Sequence, residues 1–249
     1  GMTINKNTGE ILWTPASLLT DEVVIKISDM IGNSLVHRFA ITSTKTGFYF
    51  VDGAKGVDNT NTGSESSPWK TMKYASATAD NSSYVYVKKG KYNETFAIES
   101  NNCGRFFAYP GDSVIVIGPG TGTGNSTFDI SGKNRIFQGF VFDGNGLRWI
   151  FSVSGSTKNV IWRNNEMRNV YDVTKENPSF IFFWNQTTSY TNMVIQDNTF
   201  HDLNDPVNYH GSSVTYYAVH NSLYEDNHVY DIDGDGVHEK VDGKRNTFR

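Results

Sequence analysis

The chain has 249 residues, enough for one large domain or a medium domain with a small companion. Its 22 basic and 26 acidic residues leave a net charge of -4, which argues against a general nucleic-acid binder, whose footprint is a basic excess. No run of about 18 apolar residues is present to span a membrane, and the single cysteine, Cys103, rules out an internal disulfide and suits a small buried apolar site.

Aromatic residues make up 14% of the chain and glycine contributes 23 positions, while Asn, Ser and Thr fill the gaps between short β-branched runs. That composition, without long 3.6-residue periodicity, predicts β structure. The first stretch alternates apolar and polar residues in "EILWTP" (10–15), "EVVIKISD" (22–29) and "SLVHRFAITS" (34–43), with "MIGN" (30–33) as a turn. This pattern resembles part of a bacterial immunoglobulin-like or cadherin-like module. Residues 1–44 are therefore expected to form a small, partial β-sandwich that acts as a spacer or packing partner.

Next, "VDGAKGVDNTNTGSESSP" (51–68) is rich in Gly, Asn, Ser and Thr and reads as a linker. One short helix is predicted over 68–79, with Ser67 as its N-cap and Pro68 at its first position. "SYVYVKKGKYNETFAIE" (83–99) then reads as two strands around a glycine turn.

From there the sequence repeats. "NRIFQGFVFDG" begins at Asn134, "NVIWRNNEMRNV" at Asn159, "NMVIQDNTFHDL" at Asn192, "NSLYEDNHVYDI" at Asn221 and "NTFR" at Asn246. Three of these copies carry a second asparagine six positions on: Asn165, Asn198 and Asn227. A repeat of this length built from short strands predicts stacked coils that share one core, with strands about 4.8 Å apart. The repeated asparagines are then expected to stand above one another in amide ladders. The last copy stops part-way through a coil, so the chain is expected to be a fragment lacking further C-terminal coils.

The opening "SSPWKTMKYASATADNSSYVYVKKGKYNET", followed by coils of the form N-x-x-x-x-(D/N)-N, resembles the right-handed parallel β-helix superfamily that includes pectate lyases. The resemblance covers about residues 47–249. It implies an all-β, right-handed parallel β-helix over residues 45–249, with the short helix capping the open N-terminal end of the stack.

"DIDGDGVHEKVD" (231–242) is the densest polar segment. Asp231, Asp233, Asp235, Gly236, Glu239 and Asp242 fall at positions 1, 3, 5, 6, 9 and 12, the ligand spacing of a calcium loop, although no flanking helices are predicted. Three readings stand side by side: a Ca2+ site using Asp231, Asp233 and Asp235, a solvated turn, or part of a catalytic surface. Strand alternation through "GVHEKV" places Val237, Glu239 and Val241 on one face and His238 and Lys240 on the other. If the valines face the core, His238 and Lys240 point outward. The residues preceding the starting asparagines are Lys133, Lys158, Thr191, His220 and Arg245, and in a stack they would form a basic strip able to attract an anionic polymer. Five of the six histidines lie between His201 and His238, without the spacing of a zinc site. Trp149, Trp162, Trp184, Tyr216 and Tyr217 are available either to the core or to sugar rings.

The resemblance implies a secreted or cell-surface protein whose partner is a polysaccharide or cell-surface glycan, without nucleic acid. Its leading activity is β-elimination on a uronate-containing polysaccharide. Lys240 is then the expected base, His238 or Arg245 assists, and Ca2+ or basic groups hold the substrate carboxylate. Two rivals remain: a glycoside hydrolase using Asp233 and Asp235, with Glu239 if it faces outward, and a non-catalytic glycan-binding module or adhesin.

Overall fold

A computed structural model describes residues 2–5, 11–13, 20–42, 47–120, 126–171, 178–184, 189–207 and 209–249. The chain divides into two units, Gly1–Gly47 and Phe48–Arg249. In the first, Met2–Ile4 pairs antiparallel with Ile11–Trp13, and Thr20–Ser28 pairs antiparallel with Ser34–Thr42. The second hairpin turns where the sequence predicts. The Asp29 carboxylate accepts the Ile31 and Asn33 amides at 3.0 and 2.8 Å, and Gly32 adopts φ 94°, a left-handed conformation that costs glycine little. Of the strands expected at 10–15 and 34–43, residues 10, 14, 15 and 43 lie outside the described residues.

The second unit is a right-handed parallel β-helix with three parallel sheets. Each full coil passes through the first, second and third sheet in turn. In the coil that begins at Lys158 the strands are Lys158–Arg163, Glu166–Tyr171 and Ser179–Phe183, and the next coil repeats them as Tyr190–Gln196, Thr199–Asn204 and Gly211–Tyr217. Register is kept from coil to coil: Val160 lies over Met193, Met167 over Phe200 and Ile181 over Val214. Alternation turns every second residue inward, so columns of like side chains fill the interior. Phe106, Phe137 and Trp162 stack with centroids 6.2 and 6.3 Å apart, and Phe128 stacks on Phe151 at 5.2 Å. Burying each such ring contributes up to about 3 kcal/mol. That continuous core offsets the ordering of a chain with almost no helix.

The three corners differ. Between the first and second sheets, Gly139, Asn164, Asp197 and Asp226 adopt positive φ, the left-handed conformation that Gly, Asn and Asp tolerate best. The following asparagine then turns inward: Asn165 and Asn198 are buried, and each donates its side-chain amide to the next, Asn165 to Asn198 and Asn198 to Asn227, both at 3.0 Å. Between the third and first sheets a second ladder runs in solvent. Asn134, Asn159, Asn192 and Asn221 also adopt positive φ, and Asn159 and Asn192 donate to the preceding member at 2.9 Å. Both ladders follow the repeat that the sequence predicts. Its last copy is displaced by one residue: Thr247 pairs with Leu223, so Arg245, with φ 58°, takes the asparagine position and Asn246 lies beside Ser222.

The N-terminal end differs from expectation in three respects. Residues 51–68 are not a linker but a folded cap. Asn61 donates to the Pro68 carbonyl at 2.6 Å, and the buried Trp69 indole donates to the Asn61 carbonyl at 2.9 Å. Trp69 is extended, not helical, and pairs with Val51. The helix is Met72–Thr78, and its N-cap is Thr71, not Ser67. Asp58 accepts the Lys70 and Thr71 amides, and Glu94 accepts those of Met72 and Lys73 at 2.9 and 2.8 Å. These carboxylates satisfy amides that have no partner within the helix. Met72 and Ala75 close over the first coils as part of the core. The two strands expected in 83–99 are three, Tyr84–Val87, Gly90–Asn93 and Phe96–Ile98.

Candidate functional site

The segment 231–240 crosses the corner between the second and third sheets, and that corner divides its side chains. Ile232 bridges to Leu203 at the end of the second sheet, and Gly234–Lys240 forms the third-sheet strand beside Gly211–Tyr217. Asp231 and Asp233 line a groove of about 970 Å³ along the corner. Asp233 Oδ2 accepts the Asp205 amide at 3.1 Å. Asp235 lies off the groove, with its carboxylate 3.7 Å from His238 Nδ1. Asp231 and Asp233 thus share the groove, while Asp235 contacts His238. Among the described residues, no three His, Cys, Asp or Glu side chains form a metal-holding group.

Register settles the faces of the strand. Val237 and Glu239 lie under the buried Val214 and Tyr216, while His238 and Lys240 lie under Thr215 and Tyr217. Val237 packs against the core, and Glu239 accepts from Asn246 at 2.6 Å. Glu239 therefore shares the side of the strand that carries Val237, where it remains exposed at the last coil, and Asp235 stands beside His238 on the other side.

His238 and Lys240 share the outer face of the third sheet. Burial, then the Lys240 charge, push the His238 imidazole below the ordinary histidine range, opposed by Asp235, and His210 adds to the lowering. His238 Nδ1 is buried without a hydrogen-bond partner among the described residues. Lys240 Nζ sits 5.4 Å from the Tyr217 ring centre, a cation–π contact. Tyr217 touches Phe182, which stacks on Trp149 at 4.5 Å. Trp184 packs edge-on against Trp149 at 5.0 Å yet remains 48% exposed. Of the aromatics weighed from sequence, Trp162 and Tyr216 are core residues, whereas Trp149, Trp184 and Tyr217 build this outer cluster.

Arg245 is not part of this group. It opens the next coil, where its Nε donates to Asn221 Oδ1 at 2.6 Å. Because of the one-residue displacement, the basic column ends in Lys244: Lys133 pairs with Lys158, Lys158 with Thr191, Thr191 with His220, and His220 with Lys244. The third sheet is thus flanked by a carboxylate-lined groove on one side and this basic column on the other.

Sequence reasoning missed a charged network on the outer face of the second sheet. His201 lies between Asp202 Oδ2 at 2.9 Å and Glu166 Oε1 at 3.3 Å. Glu166 also receives Arg168 at 2.7 Å, and Arg168 reaches Asp143 at 3.2 Å. The His201 ring stacks flat on Tyr230, centroids 4.9 Å apart. Asp143, Arg168, His201 and Tyr230 each stand nine residues after a starting asparagine, and that shared offset was the available signal.

Residues 54–247 match the family model described as "Protein of unknown function (DUF1565)". The chain belongs to the DUF1565 family. No curated protein and no solved structure matches it. The match spans the cap and nearly all of the coils, so in this DUF1565 chain the groove, the His238–Lys240 face and the basic column all lie within the family region.

Proposed function

We propose that this protein is a secreted carbohydrate-active β-helix protein of the pectate-lyase-like kind, which cleaves a uronate-containing polysaccharide by β-elimination on the outer face of its third sheet. The observation that carries the reading is that His238, lowered in basicity by burial and by Lys240, shares the outer face of the strand with Lys240, which packs on the Tyr217 ring. A neutral imidazole at working pH is a competent base, and an adjacent ammonium is the group needed beside a substrate carboxylate. The base role therefore passes from Lys240 to His238, and Arg245 has no part in the step.

In the reaction, His238 takes the proton α to the carboxylate while Lys240 stabilises the negative charge that develops on the carboxylate oxygens. The electron pair forms a carbon–carbon double bond, the bond to the 4-linked sugar oxygen breaks, and solvent protonates that oxygen. Trp184 and Tyr217 offer ring faces to the sugars, and the basic column of Lys133, Lys158 and Lys244 draws the polyanion towards this side. Asp231 and Asp233 share the groove while Asp235 contacts His238, so no step is assigned to a Ca2+ ion at this loop.

The test is incubation of the full chain with polygalacturonate and alginate. Ultraviolet-absorbing unsaturated ends are expected, lost in His238→Gln, with a raised KM in Lys240→Ala. Reducing ends without that absorbance would make the protein a hydrolase. No product from either polymer, with binding retained, would make it a glycan-binding module.

A further inference from the structure

The groove between the second and third sheets has no role in that reading, and its chemistry differs from that of the basic side. Val170 and Leu203 pair in register beneath it as part of the core. Along its wall stand Asn169, Asp202 and Asp231, one per coil, with φ of 57, 56 and 48°. Tyr171, in the next position after Val170, is 38% exposed at the groove.

We infer that this groove is a second glycan site that takes an uncharged polysaccharide chain lying along the helix axis. Three features point to that occupant. The wall repeats an amide or carboxylate oxygen at each coil, about 4.8 Å apart, comparable to the length of one pyranose unit in an extended chain. Carboxylate oxygens accept strong hydrogen bonds from neutral hydroxyls and repel anions, so the groove selects sugars rich in hydroxyls and rejects polyuronates. The exposed Tyr171 ring supplies what the C–H face of a sugar needs. Asp202 is already oriented by His201 at 2.9 Å, so its carboxylate is held in place before any ligand arrives.

The site is independent of the elimination chemistry. The two are separated by titrating the full chain calorimetrically with uncharged hexasaccharides (β-1,4-glucan, β-1,4-xylan, β-1,4-mannan and α-1,4-glucan), with trigalacturonate, and with pentalysine. At least one uncharged hexasaccharide is expected to bind, and its disaccharide more weakly. Tyr171→Ala and Asp231→Gly should each weaken that binding about tenfold, glycine being suited to the left-handed backbone at 231. Lys240→Ala should leave it unchanged, with circular dichroism confirming that each variant is folded. Absence of binding by every uncharged sugar overturns the inference, as does binding unaffected by both groove variants. Binding of pentalysine in their place would identify the groove as a polycation site.

Discussion

Asn198 and Asn165 are 33 residues apart in sequence and stand one above the other inside the coil. The backbone and side-chain amides of Asn165 both donate to Asn198 Oδ1 at 3.0 Å. Asn198 also donates to the Trp162 carbonyl at 3.0 Å and to Asn227 Oδ1 at 3.0 Å. Asn198→Ala would leave several of these buried groups unpaired, at about 1–3 kcal/mol each. The expected loss is about 4 kcal/mol, read as a lower midpoint in thermal or urea unfolding. Asn192 belongs to the solvent ladder, where water replaces its partner. Asn192→Gly keeps the left-handed backbone accessible and should cost about 1 kcal/mol or less.

Two neighbours of His238 should shift its titration in opposite directions. Its basicity is lowered first by burial and next by Lys240, and Asp235 opposes both. Lys240→Ala removes a cation that disfavours the protonated ring, so the titration should move up towards the ordinary value of about 6.5. Asp235→Asn removes the opposing anion and should move it further down. Proton NMR of the His238 ring across pH 4–8 reads both shifts without any need for substrate. Turnover should rise with pH through the same midpoint, because only the neutral imidazole accepts the proton. A common direction of shift in both variants would contradict the arrangement of charges.

Much of the stack was legible because the repeat carries its own register. Asparagine tolerates the left-handed conformation that each corner needs, so Asn134, Asn159, Asn192 and Asn221 mark equivalent points. The same logic slipped at Asn246, since Arg245 takes the left-handed position there and sequence gives no sign that arginine will do so. Alternation placed His238 and Lys240 outward and Val237 inward. It could not show that the corner between Asp233 and Asp235 would separate the aspartates. The network of Glu166, His201 and Asp143 draws on three coils, and its chemistry exists only once they are stacked.

The segment read as a linker gives a prediction of its own. Gly56 packs so closely that an added Cβ would lie 2.1 Å from the Trp69 carbonyl oxygen, a backbone atom that cannot swing aside. Gly56→Ala should therefore open the cap before the coils. Hydrogen exchange would show residues 52–71 losing protection, with Lys158–Arg163 still protected at the same time point. Equal loss in both places would mean that cap and coils unfold as one unit.

Trp162 is fully buried between Phe137 and Phe183, and its indole nitrogen has no hydrogen-bond partner among the described residues. Burying an unpaired N–H costs about 1–3 kcal/mol, a cost the protein carries in exchange for the volume of the larger ring. Trp162→Phe removes that penalty and leaves a small void, two effects of similar size and opposite sign. The net change should be within about 1 kcal/mol. Trp162→Ala removes the ring altogether, breaks the column that runs from Phe106 through Phe137, and should cost about 3–5 kcal/mol. Comparing the unfolding midpoints of the two variants separates volume from hydrogen bonding. A large loss in Trp162→Phe would show that the indole N–H has a partner, such as a buried water.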